Sequence, residues 1–194
     1  MKRLALVLAA VLMGFTASAQ FTIIGGLTTT SGKFSDTFRM ENLSQFHAGL
    51  GYTCRIGLGF SLQPALEYNA RGTTISGTKF RTGYVELPVQ LQLGLSLLPH
   101  IIRLYAIGEP YVAYAVHRDV FSGSSWQKLD WGDVERFRYG VGVGGGLELF
   151  RHLQVSARFF WDFAGSEFVG IKEIPTQIRD NKAAGIKVSA AIIF

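Results

Sequence analysis

The chain has 194 residues and a formal net charge of +5, which suits one domain and is too thinly spread for a nucleic-acid surface. Its single cysteine, Cys54, excludes an internal disulfide. It is 48% hydrophobic and holds 23 glycines, yet after its first segment no apolar run is long enough for a transmembrane helix, so the hydrophobicity must follow another period.

The first segment opens with Lys2 and Arg3, continues with an apolar run from Leu4 to Phe15 and ends in Ala17-Ser18-Ala19. That order, basic then apolar then small, is that of a secretory signal. The run is shorter than the roughly 20 apolar residues of a membrane helix. Residues 1–19 are therefore predicted to be a signal peptide and 20–194 one exported barrel domain. Gln20 is not a cysteine, which argues against a lipoprotein anchor.

From there the period is two. FTIIGGLTT (21–29) is a short strand whose facing stays open. Next, Phe46, Ala48, Leu50, Tyr52 and Cys54 oppose His47, Gly49, Gly51, Thr53 and Arg55. Leu58 to Tyr68 puts Phe60, Leu62 and Leu66 on one face and Gln63 and Glu67 on the other. Val85 to Leu95 is apolar at odd positions and polar at even ones, Glu86 among them. In 103–116, Leu104, Val112 and Tyr114 oppose Arg103 and Glu109. In 137–149 the even face is Arg138, four glycines and Glu148. In 153–163, Leu153 to Phe163 oppose Gln154, Ser156, Arg158, Phe160 and Asp162. The last run sets Ile186, Val188, Ala190, Ile192 and Phe194 against Gly185, Lys187, Ser189, Ala191 and Ile193.

That makes eight strands, and in the seven with a settled facing the apolar face carries no charge. Every charge shares a face with glycines and small polar residues, the composition of a crowded interior. The links near 56–57, 97–102 and 150–152 are short, while those at 30–44, 71–79, 118–133 and 165–183 are longer and polar. Strict alternation of short and long links predicts an all-β fold, an eight-stranded antiparallel up-and-down transmembrane β-barrel of a bacterial outer membrane, apolar face to lipid. Aromatic residues at strand ends support two girdles: Tyr68, Phe137, Tyr139, Trp161 and Phe163 beside long links, Tyr52, Phe60 and Phe194 beside short ones. Outer-membrane lipid is thus an expected partner, and the terminal strand must close on the first because lipid tolerates no open edge.

GYVELPVQLQLGL (83–95) followed by RLYAIGEPYVAYAV (103–116) resembles the PorT-like group of small outer-membrane β-barrels. The likeness lies in an aromatic-x-Glu-x-Pro strand followed by one with an aromatic, a Gly, a Pro and a second aromatic. The group's Gly-Pro is here Gly108-Glu109-Pro110. The resemblance implies an eight-stranded barrel and no single activity. It also implies that a C-terminal aromatic strand, ending here at Phe194, is read by the barrel-insertion machinery.

Eight strands make a narrow barrel that side chains fill. Glu67 and Glu86 fall on neighbouring strands at similar height, and two adjacent carboxylates need cations. Arg158 and Lys187 across the lumen, and Arg138 nearer the outer mouth, are their expected partners. Together with Glu109 these form a predicted lumen ion-pair network whose main role is to plug the barrel. A proton or ion relay is the alternative use of the same charges.

No nucleophile elbow, H-x-x-H, C-x-x-C or phosphate loop is present, so no enzyme activity, cofactor or metal is expected. GVGVGGG (140–146) superficially resembles a phosphate loop, but its strand period and the lack of a following Lys-Ser/Thr argue against that; glycine there leaves room for side chains from across the lumen. His47 and His117 are placed at the outer rim, His100 and His152 at short turns. Asp36, His47, His117, Asp119 and Asp133 are the residues from which a rim enzyme site would be built. The loops carry Phe34, Phe38, Met40, Phe121, Trp126, Trp131 and Phe168, which either anchor a protein partner or pack on one another. The leading reading is a structural or interaction protein acting through extracellular loops. A narrow pore, a rim enzyme and a secreted lipocalin-type barrel are the competitors.

Overall fold

The computed structural model describes residues 19–31, 40–75, 78–98, 101–122, 125–128, 136–163 and 184–194. Their strands are β1 (Ala19–Ser31), β2 (Met40–Gly57), β3 (Phe60–Ile75), β4 (Thr78–Leu98), β5 (Ile102–Ser122), β6 (Ser125–Lys128), β7 (Phe137–Leu149), β8 (Leu153–Asp162) and β9 (Ala184–Ile193). Each long strand pairs antiparallel with the next, β5 with β7, and β9 returns to β1. The result is a closed ring of eight strands. β6 is an extra ribbon on the outer end of β5, from Asp119↔Lys128 to Ser122↔Ser125. Closure runs from Thr22↔Ile193 to Ser31↔Ala184, and the Phe194 amide donates to the Phe21 carbonyl at 2.9 Å.

Facing follows the period. β8 alternates exposed and buried from Leu153 to Asp162, and β9 from Gly185 onward. The exterior carries Leu27, Leu66, Leu91, Val112, Phe159 and Ile192 in the open, a surface suited to hydrocarbon and not to water. β1, whose facing the sequence left open, turns Phe21, Ile23 and Leu27 outward and Thr22, Ile24 and Thr28 inward. Cys54, sorted with the outward residues, is buried instead.

Aromatic contacts gather at both ends of the exterior. Phe21 meets Tyr52 at 5.8 Å and Phe194 at 6.3 Å on the short-turn side. Tyr139 meets Phe163 at 6.2 Å and Phe46 meets Tyr68 at 5.7 Å on the other.

The link at 71–79 is shorter than expected. β3 and β4 stay paired to Ile75↔Thr78, leaving residues 76–77 between them. The cause is compositional: above the apolar belt a strand's outer face has no reason to be apolar, so Arg71-Gly72-Thr73-Thr74 looks like a loop while it continues the wall. Arg71 consequently belongs to the lumen, buried at 1% exposure.

The glycines of β7 explain how the narrow interior closes. Register sets Gly140 against Tyr111, Gly142 against Glu109 and Gly146 against Tyr105. A Cβ at Gly140 or Gly146 would strike the tyrosine ring. The large inward side chains of β5 thus lie over the bare backbone of β7, which is why one strand is rich in tyrosine and the other in glycine.

Candidate functional site

The lumen holds the chemistry. Antiparallel pairing places Glu67 of β3 directly beside Glu86 of β4. Two facing carboxylates repel unless answered, and Lys187 of β9 reaches across to both, with Nζ 2.5 Å from Glu86 and 3.4 Å from Glu67. Arg71 donates from Nη2 to the other Glu86 oxygen at 2.5 Å and from Nη1 to both Asp162 oxygens at 2.8 and 3.0 Å. Asn69 donates to Glu86 at 2.9 Å. The Arg71 guanidinium also lies over the Phe160, Tyr84 and Tyr111 rings, at 4.6, 4.9 and 5.6 Å. Such stacking suits a planar, weakly hydrated cation removed from water.

Not all of the expected partners meet. Lys187 alone among the predicted cations contacts Glu67 and Glu86. Arg158 bonds Glu109 instead and donates to Ser189 at 2.5 Å. Arg138 approaches Asp162 at 3.5 Å, and the Tyr111 hydroxyl donates to the same carboxylate. Arg71 and Asp162 are the members that sequence reasoning left out of the network. Asp162 was visible as inward-facing, but Arg71 gave no signal because its segment was assigned to a loop. The ion-paired core holds Arg71, Arg138, Arg158 and Lys187 against Glu67, Glu86, Glu109 and Asp162, equal numbers of each sign and all deeply buried.

His47 is not a rim residue. Its ring fills the space above Gly26, with Nδ1 3.0 Å from the Thr28 hydroxyl and Nε2 2.8 Å from Ser189. It therefore extends the Arg158–Ser189 chain inside the barrel, buried at 1% exposure. His117 stacks on Tyr68 at 5.8 Å, its Nε2 3.2 Å from the phenol, and lies 3.7 Å from Asp119, which Arg81 binds at 2.9 Å. His152 sits exposed at a turn, with Nδ1 2.6 Å from the Phe150 carbonyl. Asp36, His100 and Asp133, and the loop aromatics Phe34, Phe38, Trp131 and Phe168, lie outside the described residues, as do the side chains of Met40 and Trp126. Among the described residues no group of His, Cys, Asp and Glu is placed to hold a metal ion.

At the short-turn end the charges change character. Glu148 takes Arg55 at 2.8 Å on one oxygen, and Arg103 at 3.3 Å and Gln154 at 3.1 Å on the other. Arg103 also donates to the Gly59 carbonyl at 2.8 Å and to Ser61 at 3.1 Å. These guanidiniums keep contact with solvent, at 20% and 11% side-chain exposure, unlike those of the core.

A family described as "Outer membrane protein beta-barrel domain" matches residues 11–165. The chain is similar in structure to Neisserial surface protein A, with a TM-score of 0.52 and 12% identity over 91% of this chain and 97% of that one. It is also similar to Ail, the attachment invasion locus protein of Yersinia pestis, with a TM-score of 0.48 and 11% identity over 91% and 98%. The outer membrane protein OprG of Pseudomonas aeruginosa follows with 0.43 and 13% over 91% and 93%. No curated protein matches in a sequence search.

Proposed function

The chain belongs to the outer membrane protein beta-barrel domain family and is a protein of the bacterial outer membrane, and from that premise we propose that it acts as a structural or interaction protein. Its closed barrel holds extracellular loops at the cell surface for a protein partner. The observation that carries this reading is the blocked lumen: Arg71, Arg138, Arg158, Lys187, Tyr84 and Phe160 occupy the cross-section with at most 1% exposure. A solute path would need those side chains to part against their ion pairs. The loops, rich in aromatics that suit an interface, are left as the place where function is expressed.

In this reading outer-membrane lipid covers the apolar exterior, and the insertion machinery reads the closing strand that ends at Phe194. The Glu86-x-Pro88 strand and the Gly108-Glu109-Pro110 strand support placing the chain in the PorT-like group. Residues 1–19 act as the signal peptide, and 1–18 lie outside the described residues. Two measurements test the proposal. Planar bilayers with purified barrel should show no resolved conductance step, and a steady channel would refute the plugged lumen. Replacing residues 164–183 with a short turn should preserve heat-shifted gel mobility and abolish a partner captured by crosslinking on intact cells. Unchanged capture by this and the other loop replacements would refute the loop role.

A further inference from the structure

We propose that the short-turn mouth of the barrel is an oxyanion-binding site, taking a carboxylate or phosphate group presented from the periplasm. A cavity of about 330 Å³ opens there, lined by Arg55, Arg103, Arg151 and Glu148, with Phe60 and Ile101 on its apolar side. Three arginines and one carboxylate line it, and the two oxygens of that carboxylate are already engaged by Arg55, Arg103 and Gln154. The neighbouring core layer is charge-balanced, so it lends no anion to the mouth. The excess positive charge sits in a concave, low-dielectric entrance, an arrangement that concentrates anions. Arginine forks match the planar or tetrahedral oxygens of carboxylate and phosphate.

A second observation converges on the same place. The turn between β7 and β8 holds Phe150 and Arg151 in the left-handed region, at φ 52° and 61°. Asn-Gly would take this turn without strain. Arg151 instead puts a third cation on the cavity wall, and its carbonyl accepts a hydrogen bond from Arg55 at 3.3 Å. Backbone cost of this kind, which Leu58 shares at φ 51° on the turn between β2 and β3, clusters at ligand sites.

The same chemistry comes from two sources, a soluble oxyanion or the phosphate of an inner-leaflet lipid. The test titrates the full barrel in zwitterionic detergent with inorganic phosphate and with acetate by calorimetry. In parallel, native mass spectrometry follows retention of added phosphatidylglycerol against phosphatidylcholine. Saturable uptake of phosphate or acetate supports the site with a soluble ligand, and selective retention of phosphatidylglycerol supports it with a lipid headgroup. Either binding should fall roughly tenfold in Arg151→Gln, the loss of one charge-assisted contact, and should tighten in Glu148→Gln, which removes the competing carboxylate. Arg151 is on an exposed turn, and heat-shifted mobility verifies that the variant folds. The proposal is overturned by the absence of saturable binding to any probe, or by binding that neither substitution changes.

Discussion

Arg71 is the residue whose removal tests the ion-paired core most directly. Arg71→Ala deletes a fork that binds Glu86 at 2.5 Å and Asp162 at 2.8 and 3.0 Å, together with stacking on three rings. Glu86 keeps Lys187 at 2.5 Å and Asn69 at 2.9 Å, while Asp162 keeps Tyr111 and Arg138, the latter at 3.5 Å. The core nevertheless goes from balanced to one uncompensated negative charge in a space without bulk water. Breaking a buried pair on one side costs about 3–5 kcal/mol. Arg71→Lys keeps the charge but not the fork and should lose about half of that. Arg71→Met combined with Asp162→Asn removes a charge of each sign, so it should recover a coupling of about 1–3 kcal/mol relative to the sum of the single changes. The assay is urea unfolding of the barrel in lipid vesicles, read by the fraction of heat-shifted band, with Leu66→Ala on the exterior as the control. An Arg71→Ala midpoint equal to wild type, or strictly additive single changes, would refute the reasoning.

Three further changes probe other parts of the fold. Gly146→Val drives a side chain into the Tyr105 ring and should cost about 1–3 kcal/mol of overpacking, with Tyr105→Ala in the same barrel relieving most of it in the unfolding assay. Leu91→Lys, midway along the apolar exterior of β4, should destabilise by about 2–4 kcal/mol, whereas Gln90→Lys on the lumen side should cost less if it reaches the short-turn mouth; equal losses would argue against the facing. Phe194→Ala should leave the strand pairing of purified, refolded protein intact while lowering the amount inserted in the outer membrane of cells, measured by fractionation and heat-shifted mobility. Normal insertion would remove Phe194 from the recognition role.

How much was legible in the sequence depends on where the apolar belt runs. Within the belt the two faces differ in kind at every step, so Glu86 against Leu87 or Lys187 against Val188 declares its direction. Above the belt both faces are polar, and period two carries no contrast. That is why Arg71 disappears into an apparent loop, and His47 looks like a rim residue because β2 runs on to Met40 through residues that read as a link. The pairing of charges was harder still. Which strand reaches which across the lumen depends on the stagger of the strands around the ring, and alternation along one strand contains no information about it. Glu67 and Glu86 could be set side by side because β3 and β4 are consecutive. Arg158 of β8 finds Glu109 of β5 only after the stagger is known. The glycine face of β7 was readable as space, and the tyrosines that use the space needed the register.

A charged core is an expensive way to fill a barrel, because desolvating ion pairs returns little net stability compared with apolar packing. The reason to retain it lies in what an apolar lumen would do to the strands. A strand apolar on both faces has no preferred facing, and a slip of one residue would exchange its sides at no cost. With Glu86, Arg158 or Lys187 on one side, the same slip carries a charge onto the lipid face, where a cation costs about 2–4 kcal/mol at the midplane. Each charged strand adds its own penalty, and a slipped ring would also break pairs such as Lys187–Glu86 and Arg71–Asp162, whose partners come from non-adjacent strands. The ion pairs therefore specify facing and stagger more than they stabilise, and this explains why their members are distributed over β3, β4, β5, β7, β8 and β9 instead of clustering on one hairpin. At the short-turn mouth the requirement of balance relaxes, since Arg55 and Arg103 keep contact with solvent, and there three arginines line a cavity with one carboxylate.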